Sequence, residues 1–343
     1  MSVVRWGMLS TAAIGRVVAE ATRRSAEVEL VAVASRDAGR ARAYADELGL
    51  PHSFGSYDAL LASDEVDAVY VSLPVSMHTD WTLRALRAGK HVLCEKPFAT
   101  TAADAARCFY AALAADRQCI EGLMYRHHPQ TLLAQQLVAQ GAIGVLTSVR
   151  AALSVSAPPG DIRRTAATGG GALADLGCYC VSAIRLFAGE PIRVHAERVP
   201  DGEADVDLRF AATLALPGHV LGQFDVGLDM PRRDELELIG TGGKITVPDP
   251  WLCRAGTITL VRDGIAEVLP VDPTGACRLD DPEHDAYRLE FEAASAAVLH
   301  GIPTRFGRQD AVAQAGALEA LLASSLQARP VTVSATPVPP CPP

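Results

Sequence analysis

The first 122 residues repeat one pattern, in which a short apolar run precedes a segment with the apolar spacing of an α-helix. The apolar runs at residues 3–9, 28–34, 66–73 and 90–94 predict β-strands, and a further strand is expected near 119–122. Runs that are apolar along their whole length indicate strands covered on both faces, because the side chains of a strand alternate between its faces. Such strands alternating with helices predict a doubly wound parallel sheet of the α/β class.

Beyond residue 123 the pattern changes to short β-type runs. Between residues 192 and 269 these runs are separated by turn dipeptides such as Pro217-Gly218, Gly242-Gly243 and Asp263-Gly264. Turns of this composition join neighbouring antiparallel strands. The second part of the chain is therefore predicted to be an α+β domain with a large, mostly antiparallel open sheet.

The helical segments and the tail set the predicted domain limits. Helices are predicted in the second part over residues 129–140, 175–187, 283–299 and 309–326. We expect two domains, over residues 1–123 and 124–330. The proline-rich tail, residues 331–343, is expected to be disordered.

The composition argues against several classes of function. A formal net charge of −9 argues against a nucleic-acid-binding protein, which needs a basic surface. No uninterrupted apolar run has the length of a membrane span, and the eight cysteines lack the paired spacing of a metal site. We therefore expect a cytoplasmic protein with reduced cysteines and without a metal, membrane or nucleic-acid partner.

The turn between the first strand and the first helix has the small residues that a dinucleotide requires. A dinucleotide fingerprint would place glycines at positions 10, 12 and 15, where this chain has Ser10, Ala12 and Gly15. Small side chains let the main chain approach a pyrophosphate, to which the helix N-terminus offers N–H donors. The predicted cofactor contacts here are Ser10, Thr11, Ala12, Ala13 and Ile14. The alternative is an ordinary turn of an α/β sheet.

The end of the second strand distinguishes NADP(H) from NAD(H). An NAD site usually has an acidic residue there, which accepts from the ribose 2′-hydroxyl. This chain has Ser35 and Arg36, with Arg40 one helical turn later, and arginine binds phosphate in a bidentate fork. These residues favour NADP(H). NAD(H) is the alternative cofactor if Asp37 pairs with Arg40 or if Arg36 is only a surface charge.

The ends of the next two strands are candidates for contact with the rest of the cofactor. Leu73, Pro74 and His78 follow the third predicted strand, and His78 either contacts the cofactor or caps the next helix. Glu95 and Lys96 follow the fourth strand. Glu95 either contacts the cofactor or positions Lys96.

Lys96 and the later segment 169–179 provide side chains suited to proton transfer, namely a lysine, a carboxylate and a phenol. Reduction of a ketone requires a hydride at the carbonyl carbon and a proton for its oxygen. Tyr179 is a candidate general acid, because an ammonium group at Lys96 would lower the pKa of a tyrosine hydroxyl from its ordinary value of about 10. Asp175 either accepts a hydrogen bond from a substrate hydroxyl or is a carboxylate favoured by a helix N-terminus.

Three elements of the sequence carry a resemblance to a known family. They are Cys94-Glu95-Lys96-Pro97, Met124-Tyr125-Arg126-His127-His128-Pro129 and the glycine-rich segment 169–179. Together they resemble the Gfo/Idh/MocA family, the relatives of glucose–fructose oxidoreductase and inositol dehydrogenase. The chain looks nearest to the nucleotide-sugar 3-ketoreductases and the dimeric dihydrodiol dehydrogenases. Several inositol-type relatives have a histidine where this chain has Tyr179, which argues against inositol as the substrate.

The resemblance implies a Rossmann domain for the cofactor, followed by a domain for substrate binding and oligomerisation. It implies an NADP-dependent oxidoreductase that transfers a hydride between nicotinamide and a carbonyl or hydroxyl group of a sugar or sugar nucleotide. Tyr179 would be the general acid or base, assisted by Lys96. Arg126 would contact the cofactor or be a structural arginine at the junction of the two domains. Arg163 and Asp175 would bind substrate together with Lys96 and Tyr179. The alternatives are a trans-dihydrodiol or free-sugar dehydrogenase and a non-catalytic NADP-binding regulator.

Two arginines bear on the charge of the substrate. Arg163 and Arg164 lie in a segment expected to flank the active site. They would pair with a diphosphate if the substrate carries one, and otherwise they are solvated surface charges.

The hairpin-rich sheet also predicts assembly. One face of such a sheet packs on helices and the other is free. A broad apolar free face favours association, so a homodimer or homotetramer formed through the C-terminal sheet is expected.

Overall fold

The computed structural model of the chain describes residues 3–202, 206–272 and 285–333. The chain forms two compact units. Of the described residues, the first unit comprises those up to Leu123 together with Tyr287–Val312, and the second comprises those of Met124–Ala286 together with residues 313–333.

The first unit contains a six-stranded parallel sheet. Its strands are β1 (Val4–Leu9), β2 (Val28–Ala34), β3 (His52–Phe54), β4 (Ala68–Val71), β5 (His91–Glu95) and β6 (Cys119–Gly122), in the spatial order β3-β2-β1-β4-β5-β6. The helices between them are α1 (Ala13–Thr22), α2 (Ala38–Leu48), α3 (Tyr57–Leu61), α4 (Val75–Arg87) and α5 (Ala102–Ala114). The predicted doubly wound sheet is confirmed. The strand order reverses between β1 and β4, which is where such sheets bind ligands at their carboxyl ends.

Two short elements escaped sequence analysis. The strand β3 has three residues and pairs with β2, and α3 has five residues. Neither is long enough to show a period of apolar residues, so only their pairing and packing reveal them.

A C-terminal helix completes the core of the first unit. Helix α8 (Ala286–His300) contributes Phe291, whose ring lies 5.0 Å from that of Trp6 and 5.2 Å from that of Tyr70. The indole N–H of Trp6 also donates to the hydroxyl of Ser295 over 3.1 Å. The assignment of all residues 124–330 to the second domain is therefore wrong for this helix, because its apolar face is buried against the parallel sheet.

The second unit contains a nine-stranded sheet. Its strands are β7 (Leu146–Ser156), β8 (Arg193–Pro200), β9 (Asp207–Ala215), β10 (Leu221–Gly227), β11 (Asp229–Gly240), β12 (Gly243–Pro248), β13 (Thr257–Arg262), β14 (Ile265–Pro270) and β15 (Val331–Thr332). Their order is β14-β13-β12-β11-β7-β10-β9-β8-β15, and only β7 and β10 pair in parallel. The predicted mostly antiparallel sheet is confirmed, although β7 was not predicted.

The start of the predicted disordered tail requires correction. Val331 and Thr332 form β15, which pairs with Val194 and Arg193 of β8. The predicted tail, residues 331–343, therefore begins too early, because two of its residues extend the sheet. Its remaining part, beyond residue 333, lies outside the described residues.

The helices of the second unit are α6 (Pro129–Ala139), α7 (Cys178–Ala188) and α9 (Arg308–Gln327), whose first turn falls in the first unit. Helix α7 packs against β7 and β10, and most of its residues are buried. Among the described residues, Ala166–Ala188 is long and apolar enough to cross a membrane by composition. However, 72% of its apolar window is buried inside the protein, as in a core helix.

The free face of the nine-stranded sheet is polar. Exposed or partly exposed side chains on it include Arg150, His195, Glu197, Gln223 and Glu237. The expectation of a broad apolar face is therefore wrong, because strands such as β8 and β11 alternate buried apolar residues with polar ones. Assembly through this face would rest on polar contacts.

Candidate active site

The turn after β1 is shaped for a close approach of the main chain. Ser10 has a φ of +144°, in the region that favours glycine, and it stands where the dinucleotide fingerprint has its first glycine. Its hydroxyl donates to the carbonyl of Ser72 over 2.9 Å and accepts from the N–H of Ala12 over 3.2 Å. No side chain caps α1, which begins at Ala13. The N–H groups of its first turn therefore offer a site for a phosphate.

The remaining glycine of the fingerprint has a packing role. A Cβ at Gly15 would lie 2.5 Å from the hydroxyl of Tyr44 on α2. That hydroxyl donates to the carbonyl of Ala12 over 2.7 Å. Gly15 thus lets Tyr44 reach across α1 and fix the turn.

The end of β2 presents two exposed arginines. The carboxylate of Asp37 accepts the main-chain N–H of Arg40 over 2.7 Å, so Asp37 caps α2. Arg36 and Arg40 are exposed, and within the described residues neither has an ion-pair partner. Ser35 is buried, and its hydroxyl accepts the N–H of Asp37 over 3.3 Å. Asp37 therefore does not neutralise Arg40, and binding of a 2′-phosphate by the two arginines stays a prediction.

His78 is an internal brace between two loops. It is 1% exposed, and its two ring nitrogens lie 2.8 Å from the carbonyl of Leu73 and 3.0 Å from that of Pro97. Burial lowers the pKa of its imidazole, and the two carbonyl oxygens act in the opposite direction, because only a ring with a proton on each nitrogen can donate to both. Neither cofactor contact nor helix capping describes this side chain, because both nitrogens are engaged by main-chain carbonyls. Leu73 and Pro74 remain at the strand end.

The main chain around Lys96 is fixed by carboxylates. One oxygen of Glu95 accepts the N–H of Lys96 over 3.2 Å, and the other accepts from the hydroxyl of Tyr70. The N–H of Phe98 donates to Glu121 over 3.0 Å, and the Lys96–Pro97 peptide is cis. These hydrogen bonds are consistent with the positioning role considered for Glu95, and its contact with a cofactor stays a prediction.

A further buried carboxyl group lies below this turn. Burial and the neighbouring carboxylates of Glu95 and Glu121 raise the pKa of Glu290, on α8, well above its ordinary value. Its neutral form is therefore favoured. Sequence analysis did not identify this residue, which lies far along the chain in a helix assigned to the other domain.

In the second unit, the glycine-rich segment is explained by two close approaches. A Cβ at Gly170 would lie 2.4 Å from the carbonyl oxygen of Arg163. A Cβ at Gly171, which has a φ of +124°, would lie 2.4 Å from a carboxylate oxygen of Asp207. Asp207 also accepts the N–H of Leu173 over 2.5 Å. Burial raises the pKa of Asp207 to about 6. Sequence analysis missed Asp207, since nothing near it in the chain marks it.

This anchored segment leads directly to Tyr179. Leu173–Gly177 forms a π-helical turn, so Asp175 is not in the first turn of an α-helix, and α7 begins at Cys178. Tyr179 is 8% exposed, and its hydroxyl donates to the sulfur of Met124 over 3.7 Å. Its ring centroid lies 5.8 Å from that of Trp251. A π-turn of this kind is often found at functional sites.

The other predicted residues of the second unit are engaged by protein groups. Arg163 forms a bidentate pair with Asp161 (2.9 and 2.8 Å), and its guanidinium lies 4.0 Å from the carboxylate of Asp175. Arg126 is 2% exposed, and its Nε donates to Ser182 over 2.8 Å. Arg163 thus lies near Asp175, which precedes Tyr179 by four residues in the chain.

No metal centre is built by these residues. Within residues 3–202, 206–272 and 285–333, no group of three His, Cys, Asp or Glu side chains could hold a metal ion. The described cysteines are buried and form no disulfide: Cys94, Cys108, Cys119, Cys178, Cys180 and Cys253.

Sequence comparison identifies the class of this protein. Residues 4–123 match the family model described as "Oxidoreductase family, NAD-binding Rossmann fold", and residues 131–246 match the "GFO/IDH/MocA C-terminal domain". The chain therefore belongs to the GFO/IDH/MocA oxidoreductase family. The predicted family and the predicted nicotinamide-dependent oxidoreductase are confirmed.

Individual relatives have related activities. The chain is 37% identical over 327 residues to D-xylose 1-dehydrogenase (NADP(+)) 2 of Haloferax volcanii, covering 93% of this chain and 97% of that protein. It is 30% identical over 305 residues to trans-1,2-dihydrobenzene-1,2-diol dehydrogenase of Danio rerio, covering 87% and 89%.

A solved structure resembles the whole fold. It is a 3-ketoreductase from Actinomadura kijaniata in complex with NADP and TDP-benzene, with a TM-score of 0.86, 32% identity, and coverage of 94% of this chain and 98% of that one. That ketoreductase has also been solved with a tyrosine replaced by phenylalanine and with a lysine replaced by alanine or glutamate. The predicted preference for NADP(H) agrees with these relatives.

Proposed function

We propose that this protein is an NADP(H)-dependent oxidoreductase that interconverts a carbonyl and a hydroxyl group of a sugar, with Tyr179 as general acid or base and Lys96 as its partner. The observation that carries the proposal is the turn at Lys96. Two carboxylates and a buried histidine fix its main chain at the carboxyl edge of the parallel sheet. Such rigid presentation suits a group that must keep its position during a reaction.

The first unit fits NADP(H). The uncapped start of α1 would receive the pyrophosphate, and the exposed pair Arg36 and Arg40 would receive the 2′-phosphate. Bound NADPH supplies the hydride for reduction, and NADP⁺ accepts it in oxidation. Arg36 and Arg40 would then neutralise negative charge of the dinucleotide locally, although the net charge of the protein is −9.

The chain's own residues move the proton. In reduction, the hydroxyl of Tyr179 gives its proton to the carbonyl oxygen, and in oxidation the phenolate takes the proton of the substrate hydroxyl. The ammonium group of Lys96 stabilises the phenolate, so the proposal requires Lys96 and Tyr179 to meet at the substrate oxygen. Asp175 would accept from a second substrate hydroxyl.

The relatives support a sugar as the substrate class. One relative is named for a free sugar, and the solved 3-ketoreductase is in complex with TDP-benzene. A trans-dihydrodiol is the alternative named by a third relative. We further propose a cytoplasmic homo-oligomer assembled through the polar face of the nine-stranded sheet.

Turnover assays with two variants test the proposal. With sugars and NADP(H), Tyr179→Phe and Lys96→Met should each lower kcat by about 10²–10⁴-fold, because each removes a proton-transfer group. Affinity for NADPH should stay near that of the wild type in Tyr179→Phe. Tyr110→Phe, which removes a tyrosine hydroxyl from α5, is the matched control. NADPH binding without turnover of any carbonyl or polyol would instead favour the non-catalytic regulator.

A further inference from the structure

The helical segment that carries Asp175 and Tyr179 has no capping side chain of its own. Ala172, at the cap position of the π-helical turn Leu173–Gly177, makes no side-chain capping hydrogen bond. The first main-chain N–H groups of a helix have no partner within it, and a buried N–H group left without an acceptor is costly. Since Ala172 and Leu173 are buried, their N–H groups need acceptors from another part of the chain.

Asp207 supplies such an acceptor from 34 residues further along the chain. It is the first residue of β9 and is 5% exposed, and its carboxylate accepts the N–H of Leu173 over 2.5 Å. Burial raises its pKa to about 6, and the N–H groups of Leu173 and Ala172 act in the opposite direction by favouring the charged form. The carboxylate is therefore mostly charged at about pH 7.5, where it also interacts favourably with the positive end of the helix dipole.

The start of the segment is also held by close packing. The main chain of Gly171 lies so close to Asp207 that a Cβ on it would be 2.4 Å from a carboxylate oxygen. Its N–H donates to the carbonyl of Arg163 over 2.8 Å, and its carbonyl accepts the N–H of Asp175 over 2.9 Å. A shift of the chain that brought Ala172 to the place of Gly171 would drive a side chain into the carboxylate. The segment therefore cannot slide by one residue in that direction while Asp207 holds it.

The other end of the segment is held by the core of the second unit. Helix α7 packs against β7 and β10, and a Cβ at Gly177 would lie 3.5 Å from the ring of Phe224 on β10. The π-helical turn between the two ends joins residues five apart, where an α-helix joins residues four apart, so it holds one additional residue. One residue corresponds to a rotation of about 100° around a helix axis. The turn therefore determines how Asp175 is oriented relative to Tyr179.

We propose that Asp207 is a positioning residue, which holds the π-helical turn in place and so sets the placement of Asp175 and Tyr179. This inference rests on the proposed function and deepens it, because it names the group that fixes the proton-transfer side chain. Asp207 acts through the main chain that it caps, and no proton transfer is assigned to it. Displacement of a reacting group by about 1 Å can cost about 10²-fold in rate, so the effect should be seen in kcat.

Turnover of two variants tests the positioning role. In Asp207→Ser the side-chain oxygen is one atom closer to the main chain and no longer reaches the N–H of Leu173, whereas Asp207→Asn keeps an oxygen at the original position. With D-xylose or D-glucose and NADP⁺ at about pH 7.5, kcat should fall about tenfold or more in Asp207→Ser and should match the wild type in Asp207→Asn. NADPH affinity should not change in either variant. Equal kcat in Asp207→Ser and wild type would overturn the proposal.

The matched control is Ser324→Ala. The hydroxyl of Ser324 is buried in the same unit and accepts the main-chain N–H of Ala196 over 3.1 Å. This variant also loses a buried acceptor of a main-chain N–H, but outside the π-helical turn, so kcat should be unchanged. A loss of kcat as large as that of Asp207→Ser would show that a general loss of stability, and not the placement of the turn, lowers turnover.

The ring of Trp251, 5.8 Å from that of Tyr179, reports on the placement of the segment without any turnover. The other two tryptophans, Trp6 and Trp81, lie in the first unit. In protein labelled with 5-fluorotryptophan, the ¹⁹F resonance of Trp251 should shift in Asp207→Ser and keep its wild-type position in Asp207→Asn and in the control variant. The resonances of Trp6 and Trp81 should not move in any variant. An unshifted Trp251 resonance in Asp207→Ser, or an equal shift of all three resonances, would overturn the proposal.

The two measurements separate this proposal from the proposed function. If the wild type turns over no sugar, the proposed function fails, and the Trp251 resonance still decides whether Asp207 places the segment. If the wild type turns over a sugar but Asp207→Ser changes neither kcat nor that resonance, the proposed function stands and the positioning role is refuted. If Asp207→Ser does not fold, Asp207→Asn decides: wild-type values of kcat and of the Trp251 resonance support the role of the acceptor, and a change in either overturns it.

Discussion

Two pairs of arginines, one pair in each unit, are used in opposite ways. At the end of β2 in the first unit, Arg36 and Arg40 are exposed, and neither has an ion-pair partner among the described residues. In the second unit, Arg163 and Arg164 each form a bidentate pair with an aspartate. The first arrangement leaves cations available to a phosphate, whereas the second uses them to fix the loop before α7.

This contrast indicates which substitutions damage folding and which damage binding. In the second unit, charge and close packing are internal, so changes there should lower the free energy of unfolding. In the first unit, the two arginines contact no acidic group, so their loss should be felt only when the cofactor binds.

The largest effect on stability is expected for Gly171→Ala. The new Cβ would meet Asp207 at 2.4 Å, on a residue whose φ is +124°. We expect the free energy of unfolding to fall by about 2–5 kcal/mol, from backbone strain and overpacking together. Gly160→Ala is the matched control, because Gly160 has a φ of +85° and open space around it. If denaturant unfolding shows that both variants lose the same free energy of unfolding, the contact with Asp207 does not explain the effect.

A smaller effect is expected from the titration of Asp207. Its pKa is raised to about 6 in the folded protein by burial, above its value in the unfolded chain. The folded state therefore binds the proton more tightly, so this group's contribution to stability is fully present below about pH 4 and is lost as pH rises through about 6. The loss should approach about 2–3 kcal/mol by neutral pH.

The variant Asp207→Asn isolates this titration. Asparagine does not titrate, but its side-chain oxygen can still accept the N–H of Leu173. Between pH 4.5 and 7, the unfolding free energy of the wild type should therefore fall relative to that of the variant. Parallel pH profiles would show that Asp207 keeps an ordinary pKa.

The smallest effects are expected for the substitution of one arginine in each unit, Arg36 and Arg164. Arg36→Ala should weaken NADPH binding about tenfold or more and NADH binding little, with unfolding unchanged. Arg164→Ala should do the opposite, lowering the midpoint of denaturant unfolding while leaving NADPH affinity unchanged. Calorimetry and denaturant unfolding of both variants provide the test. Equal losses for NADPH and NADH in Arg36→Ala would refute its role in binding the 2′-phosphate.

Much of the candidate site could be predicted because its signals are local. Lys96 follows a run that ends at charge and proline, and Arg36 follows another strand end, so short segments of sequence are enough to place both residues. His78 shows the limit of this reasoning. Its position after a strand indicated a cofactor contact, but the fold turns its ring inward between two carbonyl groups.

The amino-acid sequence by itself determined the parallel sheet, the hairpin-rich sheet and the family, because apolar period, turn composition and short motifs are properties of neighbouring residues. Only the tertiary structure decided that α8 belongs to the first unit and that Asp207 anchors Gly171. It also decided that Arg163 is already paired. These facts depend on which side chains meet across long separations in the chain, and packing decides such meetings because no local pattern encodes them.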